Sequence, residues 1–158
     1  MLDYTVIVNG RQQFGDKDLN IGNFVGEQKQ FSFNCPGVNA SQPALLLFQS
    51  FHHIDVGSGD DAVREQSLEI NGSVVFGGIP SAPFSVPVLS PGNSNARIVG
   101  TQVRGWVGNV LLVTANTLKE SNNVMRIASV KKSEFVIDNV VLLYKTKSGF
   151  PDVVTPIP

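Results

Sequence analysis

Side chains able to do chemistry are densest in His52-His53-Ile54-Asp55 and in the run Gly57-Ser58-Gly59-Asp60-Asp61 that follows. Carboxylates and backbone carbonyls on a glycine-rich loop can supply the about six to eight oxygens of a calcium shell, because glycine lets the chain turn its carbonyls inward. Asp55, Asp60 and Asp61 are the candidate calcium ligands, although their spacing is not that of an EF-hand loop. A solvated loop between two strands has the same composition. His52 and His53 with Asp55 offer the donor types of a zinc site. Consecutive strand residues point to opposite faces, however, so only one of the two histidines can join Asp55, which disfavours a metal-hydrolase centre.

Cys35 is the only cysteine, which excludes an intrachain disulfide and a thiolate cluster for zinc or iron–sulfur. It lies in Phe33-Asn34-Cys35-Pro36-Gly37, at the end of a strand-like run. A nucleophilic thiol there would take His52 or His53 as its base, whereas a lone cysteine more often packs as a small inert hydrophobe. G-x-S-x-G, H-E-x-x-H and Walker-loop patterns do not occur in the sequence. Trp106, between Gly105 and Val107, is the only tryptophan. Exposed, its ring is a platform for stacking a sugar; buried, it plugs one end of a β-sandwich. Trp106, Asn109 on the same run, His52 and His53 form the candidate ligand-binding set. No acid and base can be paired in a cleft from sequence, so the expectation is a protein that is not an enzyme.

The elements that must position these residues are strands. Charged residues are 16% of the 158, against about 25% in an average chain, while 15 Gly and 9 Pro shift the composition towards strands and turns. Tyr4 to Val8 reads as a first strand ending at Asn9-Gly10, and Lys29 to Asn34 alternates so that Phe31 and Phe33 share a face. Ala44 to Phe51 is apolar throughout, as expected of a central strand covered on both sides, or covered on one with the other lining a groove. Gln66 to Asn71 and Ser73 to Phe76 form a hairpin about Asn71-Gly72. A Pro-rich connection from Pro80 to Pro91 follows, then strands over Ala96 to Val103, Gly105 to Ala115, Val124 to Ser129 and Glu134 to Tyr144. Asp138-Asn139 marks a bulge or bend in the last of these. Only Asp60 to Arg64 and Thr117 to Asn122 have helical character, and neither is long enough for three turns. The expectation is an all-β antiparallel β-sandwich of about eight or nine strands over residues 1–148, with 149–158 as a Pro-rich strap or linker.

The order of Ser67-Leu68-Glu69-Ile70-Asn71-Gly72, Trp106, Asn109 to Ala115, Asn122 to Ile127 and Phe135-Val136-Ile137-Asp138-Asn139-Val140-Val141-Leu142 resembles the second half of galactose-binding-like jelly rolls and carbohydrate-binding modules. That group has an I-N-G hairpin, a tryptophan-bearing strand, a turn leading into a strand, and a closing I-D-N-V strand. The likeness spans about residues 66–144. It implies an eight-stranded jelly roll that binds glycans or proteins through loops or a concave face, and it transfers no specific ligand residues. A single Trp and two Tyr depart from the clusters of exposed aromatics of many sugar-binding members.

Charge narrows the partners. With 12 Lys plus Arg against 13 Asp plus Glu there is no overall field to draw in nucleic acid, and no apolar run approaches the ~20 residues needed for membrane insertion. Met1 is followed directly by a strand-like run without the basic and apolar regions of a secretory signal, which leaves the compartment open, including an extracellular or cell-surface role for an exported form. The expected function is a non-catalytic binding module for glycan, with calcium as the one metal in view. The alternative is a structural module that self-associates as a homo-oligomer or packs on another protein; a large apolar surface patch would favour it.

Overall fold

The computed structural model of the chain describes residues 1–15, 22–55, 67–77, 97–99, 102–128 and 134–147. These form eleven strands and no helix: β1 (Leu2–Val8), β2 (Gln12–Phe14), β3 (Asn23–Gly26), β4 (Gln28–Phe33), β5 (Ala44–Asp55), β6 (Ser67–Ile70), β7 (Ser73–Gly77), β8 (Arg97–Val99), β9 (Gln102–Val113), β10 (Asn123–Ala128) and β11 (Glu134–Lys145). The expected eight or nine rise to eleven because β2 and β3 are short and carry little apolar alternation; the Ala96 to Val103 and Gly105 to Ala115 runs still form two strands, with the boundary moved so that β9 begins at Gln102. The helical run at Asp60 to Arg64, the Pro-rich connection and the Gly149 to Pro158 strap lie outside the described residues.

The strands form two sheets. The larger runs β3-β2-β11-β5-β9-β8, with β1 also pairing β11, and the smaller runs β4-β10-β6-β7. Every pair is antiparallel except β2 with β3. One hydrophobic core joins the sheets, with Leu46, Phe48, Val113, Leu142 and Tyr144 from the larger and Phe33, Leu68, Ile70, Met125 and Ile127 from the smaller. Period-two alternation produces this: β10 alternates strictly between buried and half-buried residues, and β4 buries Phe33 and half-buries Phe31 on one face.

Two local devices hold the register. Asn71 (φ 52°) and Gly72 (φ 79°) supply the two positive φ angles of a type I′ turn between β6 and β7, the hairpin expected from sequence. In β11 the register against β5 shifts between Asp138, opposite Gln49, and Val141, opposite Leu47. Two residues, Asn139 and Val140, thus stand against Phe48 alone, and Asn139 takes the left-handed conformation (φ 51°) that such an extra residue needs.

Candidate functional site

The outward faces of the two sheets differ in chemistry. The smaller sheet presents Gln28, Gln30, Ser32 and Arg126, with Arg126 Nη2 donating to Gln28 Oε1 (2.7 Å) and Nη1 3.6 Å from Glu69 Oε2. That is an ordinary solvated face. The larger sheet turns apolar residues outward in two complete cross-strand rows, Tyr4–Leu143–Leu45–Leu112 and Val6–Val141–Leu47–Val110, each spanning β1, β11, β5 and β9. Five of the eight are exposed, from Leu45 at 42% to Tyr4 at 63%. The apolar run of β5 is therefore covered on one side only, by the core.

Further along the same face the chemistry changes. The next row is Asp138–Gln49–Gly108 and the one after it Gln13–Val136–Phe51–Trp106, in which Gln13 and Val136 are fully buried and Phe51 and Trp106 half-buried, so this end of the face is largely covered. Gly108 has no side chain, and a Cβ built there would meet nothing within 4 Å. This opens a shallow depression of about 430 Å³ bordered by Leu47, Gln49, Gly108, Val110 and Asn139. Trp106, two residues before Gly108 on the same face of β9, is half-buried, with its ring centroid 5.6 Å from that of Phe51 at a 54° tilt.

Arg11, between β1 and β2, completes this cluster. Its guanidinium carbon lies 4.8 Å from the Trp106 ring centroid, a cation–π distance, and its Nε donates to Asp138 Oδ2 at 3.3 Å. β2 and β9 are separated by β11 and β5, roughly 14 Å at the usual strand spacing. The two long side chains must therefore reach towards each other across the sheet. Asp138 is 9% exposed, and its Oδ1 has no hydrogen-bond partner among the described residues. An acceptor left so is one a ligand hydroxyl or a water can satisfy. The Arg11–Asp138 contact itself, with Arg11 half exposed, is worth at most about 1 kcal/mol.

The residues singled out from sequence are dispersed. Trp106 lies in the cluster just described. Asn109, three positions on, falls on the opposite face of β9, 5% exposed, where its Nδ2 donates to Ser50 Oγ (2.9 Å). It is thus part of the interior and does not share a surface with Trp106. His52 stands in register with Phe135 and Gly105, His53 with Glu134 and Arg104, and Asp55 with Gln102; the description of these three stops at the backbone. Asp60 and Asp61, and with them the calcium loop, lie outside the described residues. Among the described residues no group of three or more His, Cys, Asp or Glu could hold a metal ion.

Cys35 is fully buried and its thiol is pushed up to about 12, first by burial and then by the charge of Asp3. Asp3 pairs with Tyr144, beside the Leu143–Leu45 register, so Cys35 sits near the start of β5. From Leu45 to His53 the strand runs about 26 Å at ~3.3 Å per residue. Neither histidine is within reach as a base, which overturns the nucleophile arrangement weighed from sequence.

Sequence reasoning missed Arg11, Phe51 and Asp138 as partners of Trp106. Their one signal was alternation: Asp138 at a bulge and Phe51 two places before His53 share an outward parity, but nothing local says that Arg11 reaches them.

No protein-family model matches the chain, and no curated protein matches it by sequence. Among solved structures it is similar to a beta-porphyranase of glycoside hydrolase family 86 from the human gut bacterium Bacteroides plebeius, with 13% sequence identity and a TM-score of 0.49. The likeness covers 92% of this chain and 20% of that one, so the chain spans about a fifth of that protein's length.

Proposed function

We propose that the chain is a non-catalytic carbohydrate-binding module on a jelly-roll framework, and that the glycan sits on the Arg11–Trp106–Asp138 part of the larger sheet's outward face. The framework reading rests on strand order. The run β1-β11-β5-β9 within the seven-stranded sheet, set against the four-stranded β4-β10-β6-β7, supports it, because a chain that crosses between two such runs has the strand order expected of two interlocked Greek keys.

The observation that carries the site is the buried Asp138 carboxylate whose Oδ1 has no hydrogen-bond partner among the described residues, beside an arginine and two aromatic rings. A pyranose matches such a surface: its C–H face packs on Phe51 and Trp106, a hydroxyl donates to Asp138 Oδ1, and Arg11 donates to ring or hydroxyl oxygens. Arg11 is held in place weakly enough to be re-aimed by a ligand.

Because Trp106 is the only tryptophan, its emission reports on this site alone. Titration with a panel of soluble neutral oligosaccharides is expected to shift that emission and raise the melting midpoint. Trp106→Ala, followed by calorimetry, should weaken binding at least about 30-fold, the ~2 kcal/mol of an interface anchor. Gly108→Gln fills the depression without backbone strain and should weaken binding while leaving the melting midpoint within a few degrees. Emission and melting unchanged by every glycan at millimolar concentration would remove the reading.

A further inference from the structure

We infer that Asn9 is a site of covalent self-modification, where the side-chain amide is lost through a succinimide to leave an aspartyl or isoaspartyl residue, and that the fold closes the same chemistry at Asn71. Asparagine followed by glycine is the pair in which this reaction is easiest, because a following residue without a Cβ leaves its amide nitrogen open to the side-chain carbonyl carbon. The chain has two such pairs, Asn9-Gly10 and Asn71-Gly72.

The two pairs stand in opposite surroundings. Asn9 is exposed in the link from β1 to β2, and its side chain makes no hydrogen bond among the described residues. The Gly10 amide donates to no backbone carbonyl among them, Gly10 has a φ of 89°, and a Cβ built there would meet nothing within 4 Å. The link has room because the ladder is interrupted around it. Val8 pairs Val140 and Gln12 pairs Ile137, so Asn9, Gly10 and Arg11 pass the β11 bulge at Asp138 and Asn139 without register partners. Asn71 is held instead: its Nδ2 donates to Thr117 O and Asn123 Oδ1, and its Oδ1 accepts from the Val124 amide. These bonds fix the amide plane, so Cγ reaches the Gly72 nitrogen only in molecules where they have opened.

The reaction consumes only water. The Gly10 nitrogen, its proton taken by hydroxide, bonds to Cγ of Asn9; the Cγ–Nδ2 bond breaks, and Nδ2 leaves as ammonia with a proton from water. Water then opens the imide at Cγ to give aspartyl, or at the backbone carbonyl to give isoaspartyl, and nothing is oxidised or reduced. Either product places a carboxylate two residues from Arg11, and isoaspartyl adds one backbone atom between the Val8 and Gln12 pairs. That carboxylate competes with Asp138 for the guanidinium lying over Trp106.

Incubation of the full chain in mildly alkaline buffer, followed by peptide mapping with mass spectrometry and an enzymatic isoaspartyl assay, tests this. Amide loss is expected at Asn9, faster as pH rises, and at least about tenfold slower at Asn71, which reacts only through local opening. In urea the two pairs should react at similar rates. Asn9→Gln should remove the acidic species from the folded chain, because glutamine must close a larger and slower ring. Trp106 emission should shift as that species accumulates. Equal rates at Asn9 and Asn71 in the folded chain, or an Asn9 that reacts in urea but not when folded, would overturn the inference. Emission unchanged at full conversion would overturn the effect on Arg11.

Discussion

Replacing Asn71 by alanine is expected to destabilise the fold by about 3 to 4 kcal/mol, a large share of the ~5–15 kcal/mol that holds a domain of this size. The side chain bridges three segments. Its Nδ2 donates to Thr117 O and to Asn123 Oδ1, both at 2.8 Å, and its Oδ1 accepts from the Val124 amide at 2.9 Å. Asn123 is fully buried and clamps its own turn, accepting from Lys119 N (2.8 Å) and donating to Lys119 O (2.7 Å). Truncation strands a carbonyl and an amide in a partly buried site, at about 1–3 kcal/mol for each group left unsatisfied. The left-handed backbone at Asn71 adds about 1 kcal/mol for alanine. Asn71→Gly separates the two contributions, since it keeps the φ and loses only the hydrogen bonds. Urea unfolding should therefore rank parent, glycine and alanine in falling order, about 1 kcal/mol between the last two. Equal midpoints for all three would mean that the network carries no net stability.

Above pH 9 the protein should lose stability steeply, and Cys35 should account for the first part of the loss. The thiol is pushed from 9.0 up to about 12 by burial and then by Asp3. The Tyr144 phenol is pushed from 10.0 up to about 12 by burial, then by the charges of Asp3 and Cys35 and the hydrogen bond to Asp3. Both folded-state values are raised, so above the ordinary value the unfolded chain sheds a proton that the folded chain keeps. Folding stability is then full below pH 9 and falls up to about pH 12. Each group contributes a slope of up to about 1.4 kcal/mol per pH unit, with Cys35 acting first and Tyr144 joining it above pH 10. Cys35→Ala should flatten the pH 9 to 10 portion relative to the parent, whatever its stability at neutral pH. Parallel curves for parent and variant from urea unfolding at half-unit steps would show that the thiol ionises as readily folded as unfolded.

What the amino-acid sequence by itself determined is what short-range chemistry dictates. Asn71-Gly72 between alternating segments can hardly avoid a tight hairpin, because few other residue pairs accept two positive φ angles. Asp138-Asn139 inside an apolar run marked the β11 bulge for the same reason, and period-two alternation placed Phe31 and Phe33 on one face of β4. β2 and β3 do not stand out in the sequence because three and four residues are too few to show a period, and such strands owe their pairing to β11 and to each other rather than to propensity.

Tertiary structure alone decided which side of each strand meets water. A continuous apolar run such as Ala44 to Phe48 looks the same from both faces; only the position of the smaller sheet makes Leu46 core and leaves Leu45 exposed. The same parity separates Trp106 from Asn109, one outward and one inside, although they are three residues apart. Arg11 and Trp106 are joined in the opposite way, distant in the chain and in contact because β2 and β9 belong to one sheet. Local pattern sets the period of a strand, whereas the partner strands and the layer beneath it set its phase, and a surface site depends on phase.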